Sequence, residues 1–404
     1  MSSRGRAILG IGVAVWIAAW LFGSRALFPV AAGLVLAVPL AVAWVRLSLQ
    51  RPVVRREWGG HGILEGEDVE IAVVLETTSR VPLPTALVRE RIGRLGEHAL
   101  ELRRGRDGSH RGAYRLRRVP RGRHGFEPMR VSVTDPWRLA EASLAVEEQE
   151  ALLVYPRLVE LERLFSDAGA GALDGRRFLL HRPAGFELHS VREHQQGESL
   201  RRVHWPSTAR TGVLMVKELE DSPRDEVTVL LDGDAAGAVG VPPDSAFDTA
   251  VRAAGSILLA HVRRGRRAVL VLNTRGRDTQ AVASEGPEWG RALELLAGAE
   301  PDARASAGAL LEAGAGPAAR SLDVVVVTSR PEPALVSRLL ERTSARRSVA
   351  LVYVDAPTFA GRPPAPQPAL LRLQSAGVQV AVVRKGDDLA AVLAPAMDKE
   401  AAHA

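Results

Sequence analysis

Two unbroken apolar runs open the chain, Ala7–Gly23 and Ala26–Val45, and neither contains a charged residue. The second has the length that a bilayer core requires of a helix, and the first lies near the lower limit. Only Ser24 and Arg25 separate them, so the two spans turn straight back as a hairpin. Trp16, Trp20 and Trp44 are placed as interfacial anchors. Arg4 and Arg6 precede the first run; Arg46, Arg51, Arg55 and Arg56 follow the second. Both outer flanks are therefore the positive sides, which the positive-inside rule places in the cytoplasm. The expectation is a multi-pass protein of the inner (plasma) membrane with its soluble parts cytoplasmic. A cleaved signal peptide is the competing reading, and a second full-length span so close behind argues against it.

Beyond the hairpin (residues 1–46) the rhythm changes. Arg46–Trp58 reads as a basic juxtamembrane linker able to lean on anionic lipid headgroups. Short β-like runs follow at Val69–Glu76, Ala86–Arg91, Gly112–Arg117, Met129–Val133 and Ala151–Tyr155, punctuated by Gly, Pro and Asp. That spacing predicts a small antiparallel β-sandwich over 47–157. The Arg-rich stretch Arg103–Arg130 reads as a solvated strand-and-turn surface. Residues 158–225 form a connector, Gly/Ala-rich at Ala168–Gly175. Over 226–404 the apolar strands Val227–Leu231, Ala268–Asn273, Asp323–Thr328, Ser348–Asp355 and Val378–Val383 alternate with helical stretches. These are Phe247–Val262, Glu288–Ala297, Glu332–Arg342, Ala369–Ser375 and Asp388–Leu393. Continuous apolar strands between helices predict a doubly wound parallel sheet covered on both faces. Its crevice would lie at the strand ends that carry Asp232, Asn273, Thr328 and Asp355. The fold class is thus a transmembrane helical hairpin, a β-sandwich and an α/β domain.

Composition narrows the chemistry. The chain of 404 residues contains no Cys, which removes disulfides, thiol nucleophiles, Fe–S clusters and Cys-ligated zinc. The net charge is +6, carried by Arg, since Lys occurs only at Lys217, Lys385 and Lys399. Aromatics make up 4%, which leaves few stacking platforms for single-stranded nucleic acid, and no nucleic-acid partner is expected. No Walker A loop, G-x-S-x-G elbow, H-E-x-x-H pair or Rossmann glycine fingerprint is present. His181, His189, His194 and His204 lie close in sequence, but their spacing matches no standard metal site.

The most informative stretch is Gly185–Glu220, where ionisable residues alternate with single large apolar ones. Val191, Leu200, Val203 and Trp205 read as docking anchors, with Trp205 mainly structural. Arg192, Glu193, Glu198, Arg201 and Arg210 have the chemistry for a chained Arg–carboxylate network. Two readings stand side by side: a surface that engages a partner, and a set of ion pairs that pins the segment to the α/β domain.

The segment resembles the signature of the bacterial "domain of unknown function 58" family, approximately R-E-Y-x-x-G-D-x-x-R-x-I-x-W-x-x-x-A-R followed by a K-E-x-E-like strand end. Arg192, Glu193, Gly197, Arg201, Trp205, Ala209, Arg210, Lys217, Glu218 and Glu220 stand at the expected positions, with His194 for Tyr, Glu198 for Asp and Val203 for Ile. Asp135-Pro136-Trp137-Arg138-Leu139 resembles the family's D-P-F-G-L element, with Trp for Phe and Arg for Gly. The resemblance implies that the α/β part is similar to a von Willebrand factor A domain and that a MoxR-type AAA+ ATPase is the partner. Such domains often hold Mg²⁺ through D-x-S-x-S after the first strand, completed by a Thr and an Asp. Here Asp232 is kept, Asp234 and Ala236 replace the two Ser, and Thr328-Ser329-Arg330 stands where Thr-Asp-Gly is expected. Either Asp232 and Asp234 still hold a metal, or Arg330 pairs with them and fills this degenerate site; the second is preferred, and no cofactor is expected.

The leading expectation is a membrane-anchored, non-enzymatic binding or scaffold protein working with the ATPase in complex or envelope assembly. The alternatives are a metal-dependent hydrolase using the strand-end carboxylates and a membrane-proximal nucleic-acid binder.

Overall fold

The computed structural model describes residues 2–50, 52–60, 62–79, 81–106, 108–147, 150–165, 188–193, 205–219, 226–312, 314, 316–364 and 366–394. The chain divides into two compact units, Met1–Tyr155 and Pro156–Ala404.

The first unit begins with two apolar helices, α1 (Ser3–Leu21) and α2 (Leu27–Ser48), each long and apolar enough to cross a membrane. They pack closely: a Cβ added at Gly12 would stand 3.0 Å from Leu34 Cβ. Trp16 meets Phe28 edge-to-face with centroids 5.4 Å apart.

Among the described residues ten strands follow: β1 (Val53–Trp58), β2 (Ile63–Leu64), β3 (Val69–Glu76), β4 (Thr85–Ile92), β5 (Gly96–Arg104), β6 (His110–Leu116), β7 (Gly122–Gly125), β8 (Met129–Thr134), β9 (Glu141–Val146) and β10 (Ala151–Tyr155). Seven form an antiparallel sheet in the order β1-β3-β6-β5-β4-β8-β9, and three form a smaller sheet, β2-β10-β7. Ala41 and Val45 of α2 share one apolar cluster with Val54, Val73, Val88 and Val131. Trp44 Nε1 donates to Pro82 O at 2.9 Å and Ser79 Oγ to Leu47 O at 2.7 Å, so the charged end of the hairpin is bonded to the β part.

The basic linker expected over Arg46–Trp58 is corrected here. Val53–Trp58 is a strand that pairs with β3, and alternate residues Val54 and Arg56 point inward. Arg56 Nε lies 2.8 Å from Glu90 Oε2, with side-chain exposures of 1% and 0%. Its Nη1 reaches Glu150 at 3.2 Å, and the guanidinium covers the Phe126 ring at 4.6 Å. A buried guanidinium needs this pairing, because an uncompensated charge in the core is costly. Burial first, and then the Glu90 carboxylate, hold the nearby Tyr114 phenol well above its ordinary range.

In the second unit β11 (Leu188–Glu193) and β12 (Met215–Leu219) form a two-stranded antiparallel sheet. The main sheet contains β13 (Val227–Asp232), β14 (Ala268–Asn273), β15 (Thr279–Val282), β16 (Asp323–Thr328), β17 (Ser348–Val354) and β18 (Gln379–Val383). Their order is β15-β14-β13-β16-β17-β18. All neighbours are parallel except the edge strand β15, which runs antiparallel to β14. That short edge strand was absent from the sequence reading.

All six residues of β13 are buried because both faces of the sheet are covered. One face carries Val229, Leu231, Leu270 and Val352 against helix Ala246–Arg263. The other carries Leu230, Val271, Val326 and Leu351 against helix Pro333–Ser344. Helix Ala246–Arg263 starts at a capping box: Ser245 Oγ accepts from Asp248 N at 3.0 Å, and the Asp248 carboxylate accepts from Ser245 N at 3.4 Å.

Candidate functional site

The central strand β13 ends in Asp232, and its two neighbours end in Asn273 and Thr328. The parallel register therefore brings these three side chains together at the carboxyl edge of the sheet. Asp232 is 5% exposed. Asn273 Nδ2 donates to its Oδ1 at 2.8 Å and Thr328 Oγ1 to its Oδ2 at 2.7 Å. The Asn273 amide also donates to Ala305 O at 3.0 Å. Burial raises the Asp232 carboxyl above its ordinary range; the bonds from Thr328 and Asn273 oppose that rise, and the Asp234 charge adds to it.

Asp234 begins the next turn. Its Oδ1 accepts from Ala236 N at 3.0 Å, and its Oδ2 lies 3.1 Å from Arg330 Nη1. Arg330 also approaches Glu332 at 3.8 Å, and Thr328 Oγ1 accepts from Arg330 N at 3.0 Å. Asp232 thus draws on neutral donors, and Arg330 sits on Asp234 instead. Two glycines permit this closeness: a Cβ on Gly233 would stand 2.6 Å from Asn273 O, and one on Gly237 only 2.0 Å from Ser329 Oγ.

A divalent cation of the kind the family resemblance implies wants an open ring of oxygens. These residues do not fit that need. Both Asp232 oxygens already accept hydrogen bonds, Ala236 offers no side-chain oxygen, and a guanidinium stands on Asp234.

At the ends of β17 and β18, Asp355 is buried beside Arg384, with Nε to Oδ2 3.8 Å. Burial, then the Asp355 charge, push the Tyr353 phenol up to about 12. A cavity of about 380 Å³ opens next to this pair, lined in part by Arg252, Phe359, Arg384, Lys385 and Asp387.

The signature segment folds as strand, helix, strand. In the β11–β12 register Ser190 faces Glu218, Val191 faces Lys217, Arg192 faces Val216 and Glu193 faces Met215. The helix Trp205–Thr211 is tied to β12 by Met215 N donating to Thr208 Oγ1 at 3.0 Å. Arg210 lies exposed in its last turn. Trp205 is 67% exposed, which corrects its assignment as a structural anchor. Gly197, Glu198 and Arg201 lie outside the described residues, as do His181, His194, His204 and Ala168–Gly175.

Comparison with known proteins bears on this segment. Residues 190–368 match the model of the family described as protein of unknown function DUF58. This stretch is similar to the DUF58 family. It runs from β11 through β17, so it contains Arg192, Glu193, Trp205 and Arg210 together with Asp232, Asp234, Asn273, Thr328 and Arg330. The hairpin and the β unit precede the DUF58 match, and β18 follows it.

The chain is also similar to the "Uncharacterized protein YeaD" of Bacillus subtilis (strain 168), at 29% identity over 225 residues, 54% of this chain and 53% of that protein. It thus spans about half the length of that curated relative. Among solved structures, Cwp6 from Clostridium difficile aligns over 83% of this chain and 37% of its own, with 8% identity and a TM-score of 0.18, too low to carry any argument about fold.

Sequence reasoning placed Asp232, Asn273 and Thr328 at strand ends but missed that the other two clasp Asp232. The register would have revealed it, since the three residues close adjacent parallel strands. The Arg56–Glu90 pair was also missed, although an Arg two places from Val54 on an alternating strand is a usable signal.

Proposed function

We propose that this chain is a membrane-anchored binding and scaffold protein. Its α/β unit acts as a von Willebrand factor A-like domain that works with a MoxR-type AAA+ ATPase in complex or envelope assembly. The observation that carries the binding reading is the filled strand-end crevice. Asp232 is held by Asn273 and Thr328, and Arg330 lies on Asp234, so the edge presents a fixed pattern of charge. The von Willebrand factor A-like reading is supported by the strand order, with Asp232 ending the central strand. Two apolar helices with Arg on both outer flanks support an anchor with both chain ends in the cytoplasm. The exposed Trp205 and Arg210 make the signature helix the favoured partner surface.

The test is purification of the full chain from its native membrane, in the parent form and as Trp205→Ala and Arg210→Ala. The expected outcome is an AAA+ ATPase that co-purifies with the parent and is lost from both variants at unchanged melting temperature. A reporter that works only in the cytoplasm should be active when fused after Ala404. Retention of the ATPase by both variants removes the signature helix from the interface. A metal-dependent hydrolysis abolished by Asp232→Ala would replace this reading with the hydrolase one.

A further inference from the structure

The D-P-F-G-L-like turn is bonded to the start of the first apolar helix. Ser2 N donates to Leu139 O at 3.1 Å and Ser2 Oγ donates to the same oxygen at 3.0 Å, while Ser2 Oγ also caps Gly5 N at 3.0 Å. The turn is stiff. The buried Asp135 carboxylate accepts from Trp137 N at 3.0 Å and from Ala140 N at 2.6 Å, and Arg138 N donates to Asp135 O at 2.9 Å. Leu139 and Ala140 are buried in the apolar cluster that also holds Ala41 and Val45 of α2. What remains outside is Pro136, Trp137 and Arg138, with Trp137 67% exposed. The turn thus buries Leu139 and holds Trp137 outward in a fixed position.

Position along the helix says what. At about 1.5 Å rise per residue, Ser2 stands roughly 7 Å outside the start of the apolar run at Ala7. The headgroup layer on each side of the hydrocarbon core is roughly 5–7 Å deep, and Trp concentrates at that level. The charges agree: Arg4, Arg6, Arg46 and Arg138 are all exposed at this end of the unit. The acids nearest to the tip along the chain are Asp135, whose carboxylate caps the turn, and Glu141 on β9.

We propose that the Pro136–Arg138 tip is a second membrane contact, in which Trp137 beds among the headgroups of an anionic lipid surface and the surrounding arginines face its phosphates. The contact rests on the reading that α1 and α2 span the bilayer. Its consequence is mechanical: the hairpin end and the tip together fix the orientation of the β unit on the membrane.

The absence of Cys allows a direct test on the full chain. Single-cysteine variants Trp137→Cys, Leu36→Cys in the middle of α2 and Glu97→Cys on β5 are labelled with the fluorophore NBD. Each is reconstituted in phosphatidylcholine vesicles with and without phosphatidylglycerol. Glu97 lies at the β4–β5 hairpin end, where the neighbouring apolar cluster contains no residue of α1 or α2. The expected result is quenching of the 137 label by nitroxide carried on the headgroup, with loss of iodide accessibility, stronger with phosphatidylglycerol and reversed in part by Arg138→Glu. The 36 label should be quenched by deep-chain nitroxide, and the 97 label by neither. A 137 label that behaves like 97 while 36 is quenched overturns the contact and leaves the span intact. Protection of 137 in native membranes but not in vesicles assigns the tip to a protein and overturns it equally. A 36 label open to iodide removes the span and the contact together.

Discussion

Glu90 of the N-terminal unit and Asp232 of the C-terminal unit are both buried carboxylates, and they are held by opposite devices. Glu90 faces a guanidinium inside the core, so charge meets charge and is cancelled where nothing can reach it. Asp232 is held by an amide and a hydroxyl, both neutral, and the nearest guanidinium is on Asp234 at the half-exposed rim. The first arrangement locks a fold. The second keeps negative charge at a sheet edge, with an exchangeable surface arginine as its counterion, and so suits recognition.

Each half of that contrast can be broken separately. The largest effect is expected from Glu90→Ala, which removes the fully buried carboxylate from Arg56 and leaves the partly exposed Glu150. Breaking one side of a buried pair costs about 3–5 kcal/mol. Chemical unfolding of the full chain in detergent should show it, and Arg56→Met with Glu90→Leu should recover most of the loss. A deficit confined to a few tenths would mean the pair contributes nothing to the fold.

Next comes Gly233→Ala, whose added methyl meets the Asn273 carbonyl at 2.6 Å and forces apart the strand ends that clasp Asp232. Overpacking against backbone costs about 1–3 kcal/mol. Thermal melting should register this as an earlier transition of the α/β unit.

A smaller, pH-dependent effect is expected from Asp232→Asn. The Asp232 carboxyl is raised in the folded state above its ordinary value near 3.8. A raised carboxyl contributes stability that is fully present below the unfolded value and is lost as pH rises through the folded one. The stability of the parent relative to Asp232→Asn should therefore fall as pH increases from about 4 towards neutrality, by about 1.4 kcal/mol for each unit of upward shift. Melting both proteins across that range checks the sign, and a difference that grows with pH contradicts it.

The smallest effect is expected from Arg330→Ala. Its guanidinium is 53% exposed although it reaches Asp234 at 3.1 Å, and solvent screens such pairs to within about 1 kcal/mol. Unfolding should be nearly unchanged while binding at the strand ends responds. A large stability loss would place Arg330 with Arg56 as a folding device.

Legibility followed the apolar pattern. Val69–Glu76, Ala151–Tyr155 and Asp323–Thr328 were readable with their observed bounds because each is a run of strand-forming residues between breakers. The two apolar helices were equally plain. Val53–Trp58 was not, because its arginines resemble a solvated linker until the strand pairing with β3 turns Arg56 inward. Thr279–Val282 was missed because a short edge strand with one buried residue leaves little hydrophobic signal. Trp205 was misplaced because an aromatic beside a proline says nothing about which side the folded chain will cover.

The sequence by itself determined the two apolar spans, the arginine-flanked ends, the change from strand runs to alternating strands and helices, and the position of Asp232 at the close of a buried strand. These depend on local composition and on periods of two and 3.6 residues, which neighbours along the chain already carry. Only the tertiary structure decided that Arg56 meets Glu90, that Asn273 and Thr328 converge on Asp232, that Arg330 lies on Asp234 and that Trp137 stands level with the first turn of α1. Each of these joins residues from separate elements, and their meeting depends on sheet order and register, which no local pattern encodes.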